Sequence, residues 1–167
     1  CYDNYEFHSV YRAIYNFCVV DMSNFYLDII KDRLYCEGAD SLARRSAQSA
    51  IFIVLDAMVR LLAPILAFTG EEIWAAMPHA KADNGESVVL NDMPDYRAEL
   101  ALSQADEVRW GLLISVRDAV NKALENARAA GVFKKAQDTE VTLSVEGEKD
   151  AQFLRGVDLA ALCIVSK

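Results

Sequence analysis

N-F-Y-L-D-I-I-K-D-R-L-Y, residues 24–35, is the stretch on which the reading of the fold turns. Phe25 and Ile29, flanked by Tyr26 and Ile30, recur at helical spacing and call for burial, while Asn24, Asp28 and Lys31 form an opposite polar strip. The segment ends on Arg33-Leu34-Tyr35, a guanidinium two residues from an aromatic ring. Two readings stay open for that end: a helix terminus packed on its neighbours, or a place where an unstacked base is held. The residues alone favour the first.

Upstream the same period runs back to about Asp3, with Phe7, Val10, Ile14, Phe17 and Cys18 on one face. No Gly or Pro interrupts the run from there to Tyr35, so it predicts one helix, continuous or slightly bent. Gly38 is expected to end it in a left-handed cap. Asp40 or Ser41 then caps a long helix carrying Ala47, Ile51, Val54, Met58, Leu61, Leu62, Ile65 and Phe68 inward. Pro64 should kink that helix, and Thr69 should cap a short one that reaches Trp74 and Met77 before Pro78. Residues 78–102 read as a long polar connection with a brief extended piece at Val88-Val89-Leu90. Ser103 opens a further helix, closed by Gly131, with Val108, Leu112, Val116, Ala119, Ala123 and Ala127 inward.

Beyond Gly131 the period changes from 3.6 to 2. Thr139 to Val145 alternates like a strand, Asp150 to Arg155 suits one or two helical turns, and Leu159 to Val165 is apolar enough for a second strand. The expected architecture is therefore mainly α: a helical bundle over 1–130 and a small C-terminal α/β unit over 131–167.

Composition narrows the function classes. The chain has 167 residues, 53% of them hydrophobic, and only 3 prolines, so it can bury a substantial core. A formal net charge of −8 opposes unspecific attraction to nucleic acid or anionic membranes, which leaves room only for a small, directed site. The 4 cysteines show neither a C-x-x-C pair nor a histidine at metal spacing, and read as reduced thiols of a cytosolic protein. No apolar run approaches a membrane span, and no signal-peptide layout is visible. The abrupt start inside a helical pattern suggests a piece of a longer polypeptide.

No constellation for catalysis emerges. Asp28 and Asp32 share a helix face, but with Lys31 between them they fit a solvated flank better than an acid/base pair. His8 and His79 are isolated, and there is no phosphate loop or Ser-His-Asp set. Arg44-Arg45 suit phosphate binding no better than plain exposure or pairing with Glu37 and Asp40. Trp74 is most simply a core plug. Arg117, Lys122, Arg128, Lys134 and Lys135 make the last long helix and its exit the most basic region, a pattern that usually marks a solvated face.

Taken together, E-F-H-S-V-Y-R-A-I-Y-N-F-C (6–18), F-Y-L-D-I-I-K-D-R-L-Y (25–35), S-L-A-R-R-S-A-Q (41–48), L-L-A-P-I-L-A-F-T-G-E-E-I-W (61–74), E-S-V-V-L-N-D-M-P (86–94) and V-R-D-A-V-N-K-A-L-E-N-A-R (116–128) resemble one family in order along nearly the whole chain. It is the anticodon-binding domain of bacterial isoleucyl-tRNA synthetases, of the class Ia type. Valyl, leucyl and methionyl relatives share the bundle, whereas K-D-R-L-Y points to the isoleucyl kind. K-K-A-Q-D-T (134–139) departs from the family's G-K-S-L-E-A, which leaves any role of that turn in doubt.

The resemblance implies a module that grips the anticodon stem-loop of an isoleucine tRNA. Aminoacylation with ATP and Mg would then take place on a catalytic domain of the same polypeptide. It also implies that the helix opening the family's bundle is missing, that the zinc-binding cysteine cluster lies downstream of Lys167, and that this chain itself needs no cofactor. The full-length enzyme is expected to be a cytoplasmic monomer without membrane contact. By analogy with the methionyl relatives, whose corresponding helix end carries an anticodon-reading tryptophan, the RNA-binding residues expected are Lys31, Arg33, Tyr35, Arg44 and Arg45, with Arg12, Asn16 and Asn24 on the same helical unit. The alternative is a helical scaffold that braces the synthetase body without touching RNA.

Overall fold

A computed structural model describes residues 1–166, with the side chain of residue 137 outside the description. The predicted subdomain over 131–167 therefore has its last residue outside the described part. The chain divides into two compact units, Cys1–Tyr96 and Arg97–Lys167. The long helix after Ser103 thus shares a unit with the tail, whereas the change of period in the sequence suggests a division at 130.

In the first unit a short 3-10 turn, Tyr2–Asn4, leads into α1, Phe7–Asn16. The helical path then widens into a π-helical segment, Phe17–Tyr26, and continues through α2, Leu27–Ile29, and α3, Lys31–Tyr35. The expected continuity holds, with one bend. Ile30 sits between α2 and α3 at φ −88°, ψ 3°, and its side chain is 1% exposed, so burial anchors the turn where the backbone leaves helical geometry. Hydrogen bonds still pass across it, from Ile30 N–H to Tyr26 O and from Leu34 N–H to Ile30 O. Phe25, Tyr26 and Ile29 are half-buried, as their spacing predicts.

Ser41 occupies the N-cap position of α4, Leu42–Leu62. Gly38 does not take the left-handed conformation; positive φ among the described glycines occurs at Gly131 and Gly147. Pro64 ends α4 rather than kinking it. Without an N–H it cannot carry the ladder forward, and a new helix, α5, Ala67–Ala76, begins before Thr69, with Leu66 at its N-cap position. Gly70 lets α5 come close to that turn: a Cβ there would lie 3.3 Å from the Ala63 Cα. The core of this unit is Val59, Ala63, Trp74, Met77 and Val88, supported by Phe52, Leu55 and Ile73.

Val88–Leu90 is a 3-10 turn rather than an extended piece, with Val88 buried. Glu71 holds it in place, accepting hydrogen bonds from the Ser87 hydroxyl and, at 3.3 Å, from the Val88 N–H. The polar connection is pinned down along its length. Trp74 Nε1–H donates to Asn84 O at 3.1 Å, and Arg60 pairs with Asp56 at 3.0 Å and with Asp83 at 2.9 Å. His79 stacks on the Trp74 ring with centroids 4.5 Å apart, so it is not the isolated histidine its sequence position suggests.

In the second unit α6, Gln104–Ala129, starts on Ser103, whose hydroxyl accepts from Asp106 N–H at 3.2 Å, and ends at Gly131 with φ +74°. Both ends are as predicted. The buried face is not. It carries Leu113, Arg117 and Val120, whereas Val108, Ala119 and Ala123 are exposed. Alanines weigh little in such a pattern, and Arg117, counted among the solvated cations, is buried and donates to Leu162 O.

The expected strands do not form among the described residues. Thr139 to Val145 is irregular chain outside any helix or ladder, although Ser166 N–H bonds Thr139 O at 3.2 Å. The apolar run after Asp158 is a helix, α8, Leu159–Cys163, because the Asp158 carboxylate caps it by accepting from Ala161 N–H at 3.0 Å. The helical turns foreseen near Asp150 are α7, Glu148–Arg155. The described chain is mainly α, and the strands of the expected α/β tail are corrected to irregular chain and helix.

Candidate nucleic-acid interface

The α2–α3–α4 path builds the candidate surface. α3 packs against α4, so the turn between them, residues 36–41, carries both the end of α3 and the start of α4 on one helical hairpin. Tyr35 projects from it with 83% of its surface exposed. A tyrosine that open contributes little to the fold, and its ring face is free to stack. Arg33 and Arg45 are exposed as well, and neither is in an ion pair among the described residues.

Other expected residues are already engaged. Lys31 Nζ lies 2.7 Å from Asp28 Oδ1, an open i,i+3 pair that contributes about 0–1 kcal/mol but partly neutralises the lysine. Asp28 is half-buried and Asp32 is exposed. Arg44 donates to Glu37 O at 3.0 Å, which ties the connection between the two helices.

Geometry also separates residues that the sequence groups together. Side chains two apart on a helix do not face each other, so Tyr35 shares its face with Lys31, four residues back, and not with Arg33. Burial raises the Tyr26 phenol's pKa, and the Arg33 charge offsets part of that. Arg12 and Asn16 are exposed on α1, and roughly 25 Å of helix axis, at about 1.5 Å per residue, lies between Arg12 and Ile30. They do not join the α3–α4 hairpin. Asn24 is exposed in the π-helical segment, between the two groups.

One feature of this surface is absent from the sequence reading. Tyr11 and Tyr15 stack with centroids 6.0 Å apart and are about half exposed, beside Arg12. Their i,i+4 spacing was the available signal.

The described residues bring together no group of three or more His, Cys, Asp or Glu. Cys1 and Cys36 are exposed, Cys18 is half-buried and Cys163 is buried, its thiol pKa raised by burial. Among those residues no helix is long and apolar enough to cross a membrane.

A helical hairpin with an exposed ring and unpaired cations is a form suited to single-stranded RNA, and residues 1–143 match the anticodon-binding domain of tRNA ligase. The chain belongs to that family. Within it, the chain is 45% identical over 99% of its length to the isoleucine–tRNA ligase of Syntrophotalea carbinolica. It is 43% identical over 99% to that of Teredinibacter turnerae, and 47% identical over 92% to that of Desulforudis audaxviator. It spans 18%, 18% and 16% of those relatives, less than a fifth of their length.

Proposed function

We propose that this chain is the anticodon stem-loop binding part of an isoleucine–tRNA ligase. It would hold an isoleucine tRNA while a catalytic domain elsewhere in the same polypeptide performs ATP- and Mg-dependent aminoacylation. Zinc, if the longer polypeptide carries it, would be bound outside this chain. The proposed setting is the cytoplasm, with a monomeric full-length enzyme and no membrane contact. The observation that carries the reading is Tyr35, an almost fully exposed ring at the end of α3 in a chain of the anticodon-binding family. Stacking on such a ring supplies affinity without sequence readout, and the cations Arg33 and Arg45 supply phosphate contacts.

The scaffold reading draws on two observations: the net charge of −8, and the prior engagement of Lys31 and Arg44. The exposed ring favours RNA over it. In the ligase that carries this chain, Tyr35→Ala is expected to lower kcat/KM for tRNA charging by about tenfold, the effect of losing one stacked base. Arg33→Ala should weaken charging less. Amino-acid activation measured without tRNA should stay unchanged in both. Unaltered charging in the two variants would leave the scaffold as the better account.

A further inference from the structure

The exit of α6 holds a group of cations that the proposed site does not use. Arg128 lies in the last turn of α6, and Lys134 and Lys135 follow the turn at Gly131. That turn is rigidly specified. Gly131 N–H bonds Arg128 O at 3.0 Å and Val132 N–H bonds Ala127 O at 3.0 Å, the paired bonds of a Schellman ending that needs the left-handed φ of +74°. The Arg128 guanidinium then sits over the Phe133 ring, 5.7 Å from its centroid. This contact folds the residue before Lys134 back onto the helix end, so Lys134 and Lys135 leave the helix from the same turn that carries Arg128.

All three are exposed, and none is in an ion pair among the described residues, whereas Lys31, Arg60 and Arg109 each hold a carboxylate. From Lys122 to Lys135 the chain has four cations and the single carboxylate of Glu125, within a protein of net charge −8. Asp138 and Glu140 bound the cluster on its far side. The helix C-terminus accounts for Arg128, since a cation there complements the dipole. It does not account for Lys134 and Lys135, which lie beyond the helix. An acidic protein that leaves like charges together and unneutralised carries a local electrostatic cost, and that cost is relieved by an anionic partner.

We infer that Arg128, Lys134 and Lys135 form a second, separate contact with the phosphates of RNA. This inference rests on the tRNA-binding reading. The contact reads no base: lysines offer point charges, and the guanidinium held on Phe133 offers a planar fork to a phosphate. It adds affinity that depends steeply on salt and is independent of base identity.

The test uses the whole 167-residue chain and an unmodified isoleucine tRNA transcript, titrated across a series of salt concentrations. A triple variant, Arg128→Gln with Lys134→Gln and Lys135→Gln, is compared with a control of equal charge change, Lys81→Gln with Lys149→Gln and Arg155→Gln. Thermal melting confirms that both remain folded. The cluster variant is expected to reduce the slope of log K against log salt by two to three, at about 0.7–0.9 per phosphate contact, while the control stays within one of wild type. An unchanged slope in the cluster variant, with wild type binding normally, overturns this contact and leaves the anticodon reading standing. Equal losses in both variants also overturn it, because the effect would then be one of overall charge. Failure of the wild-type chain to bind at all overturns both.

Discussion

Trp74→Ala is expected to destabilise the first unit by about 3–5 kcal/mol, the usual range for removing a large aromatic from a core. Trp74 is 1% exposed at the centre of the cluster formed by Val59, Ala63, Met77 and Val88. Its loss leaves a cavity that helices on either side of the Pro64 turn cannot readily fill. It also takes away one of the two donors to Asn84 O, leaving Asn91 Nδ2 at 3.0 Å, and removes the ring on which Arg60 and His79 rest, at 5.0 and 4.5 Å. For a unit of this size the corresponding fall in Tm is ten degrees or more, by about 4–8 °C per kcal/mol. Trp74→Phe keeps a ring but loses the Nε1–H bond, and should lie between the two. Melting of Trp74→Ala within a degree or two of wild type would remove Trp74 from its central place.

Arg60→Met is expected to cost about 2–4 kcal/mol, because it leaves two poorly solvated carboxylates without their cation. The side chains of Arg60, Asp56 and Asp83 are 12%, 16% and 14% exposed. The effect depends on pH in a defined direction. Burial alone would raise the Asp83 pKa, but the Arg60 hydrogen bond, the Ala80 amide and the charges of Arg60 and His79 outweigh it and hold the pKa below the usual carboxylate value. A depressed carboxyl pKa stabilises the fold above the unfolded value, about pH 4, and that stabilisation is lost as pH falls through the folded value. The gap between wild type and Arg60→Met should therefore be full at neutral pH and narrow as pH drops below about 4. Melting curves at pH 7 and pH 3 measure it; a gap that widens in acid would contradict the bridge.

Much of this arrangement is legible in the sequence where a local rule decides it. Ser103 and Gly131 mark both ends of α6, Ser41 marks the start of α4, Pro78 comes two residues after the last of α5, and Trp74 is the plug its setting suggests. What the sequence hides depends on residues far apart. Arg60 reaches Asp83 across 23 positions, and only the folded connection brings them within 2.9 Å. The buried face of α6 is misjudged because its alanines fit several faces equally well, while Arg117 finds a buried carbonyl that no periodicity announces. Leu159–Cys163 is short and apolar, so strand and helix compete, and the Asp158 cap decides for helix.

The candidate interface shows the same division. Tyr35 and Arg33 are only two positions apart in the sequence, yet helical geometry turns them to different faces. Lys31 and Arg44, which the sequence offers both as RNA contacts and as partners of nearby acidic residues, are held by Asp28 and by Glu37 O in the structure. Exposure of Tyr35 is a tertiary fact: the same residue under another helix would be core. What remains is smaller and more aromatic than the list of cations implies: the exposed Tyr35, with Arg33 and Arg45 exposed elsewhere on the same helical hairpin.

Direct titration of the 167-residue chain with the anticodon stem-loop of isoleucine tRNA, at about 50 and 200 mM salt, tests that surface most directly. Saturable binding that weakens at the higher salt, and that falls when Tyr35 is replaced by alanine, is the expected result. No binding at the lower salt, or binding that Tyr35→Ala leaves intact, would contradict the account.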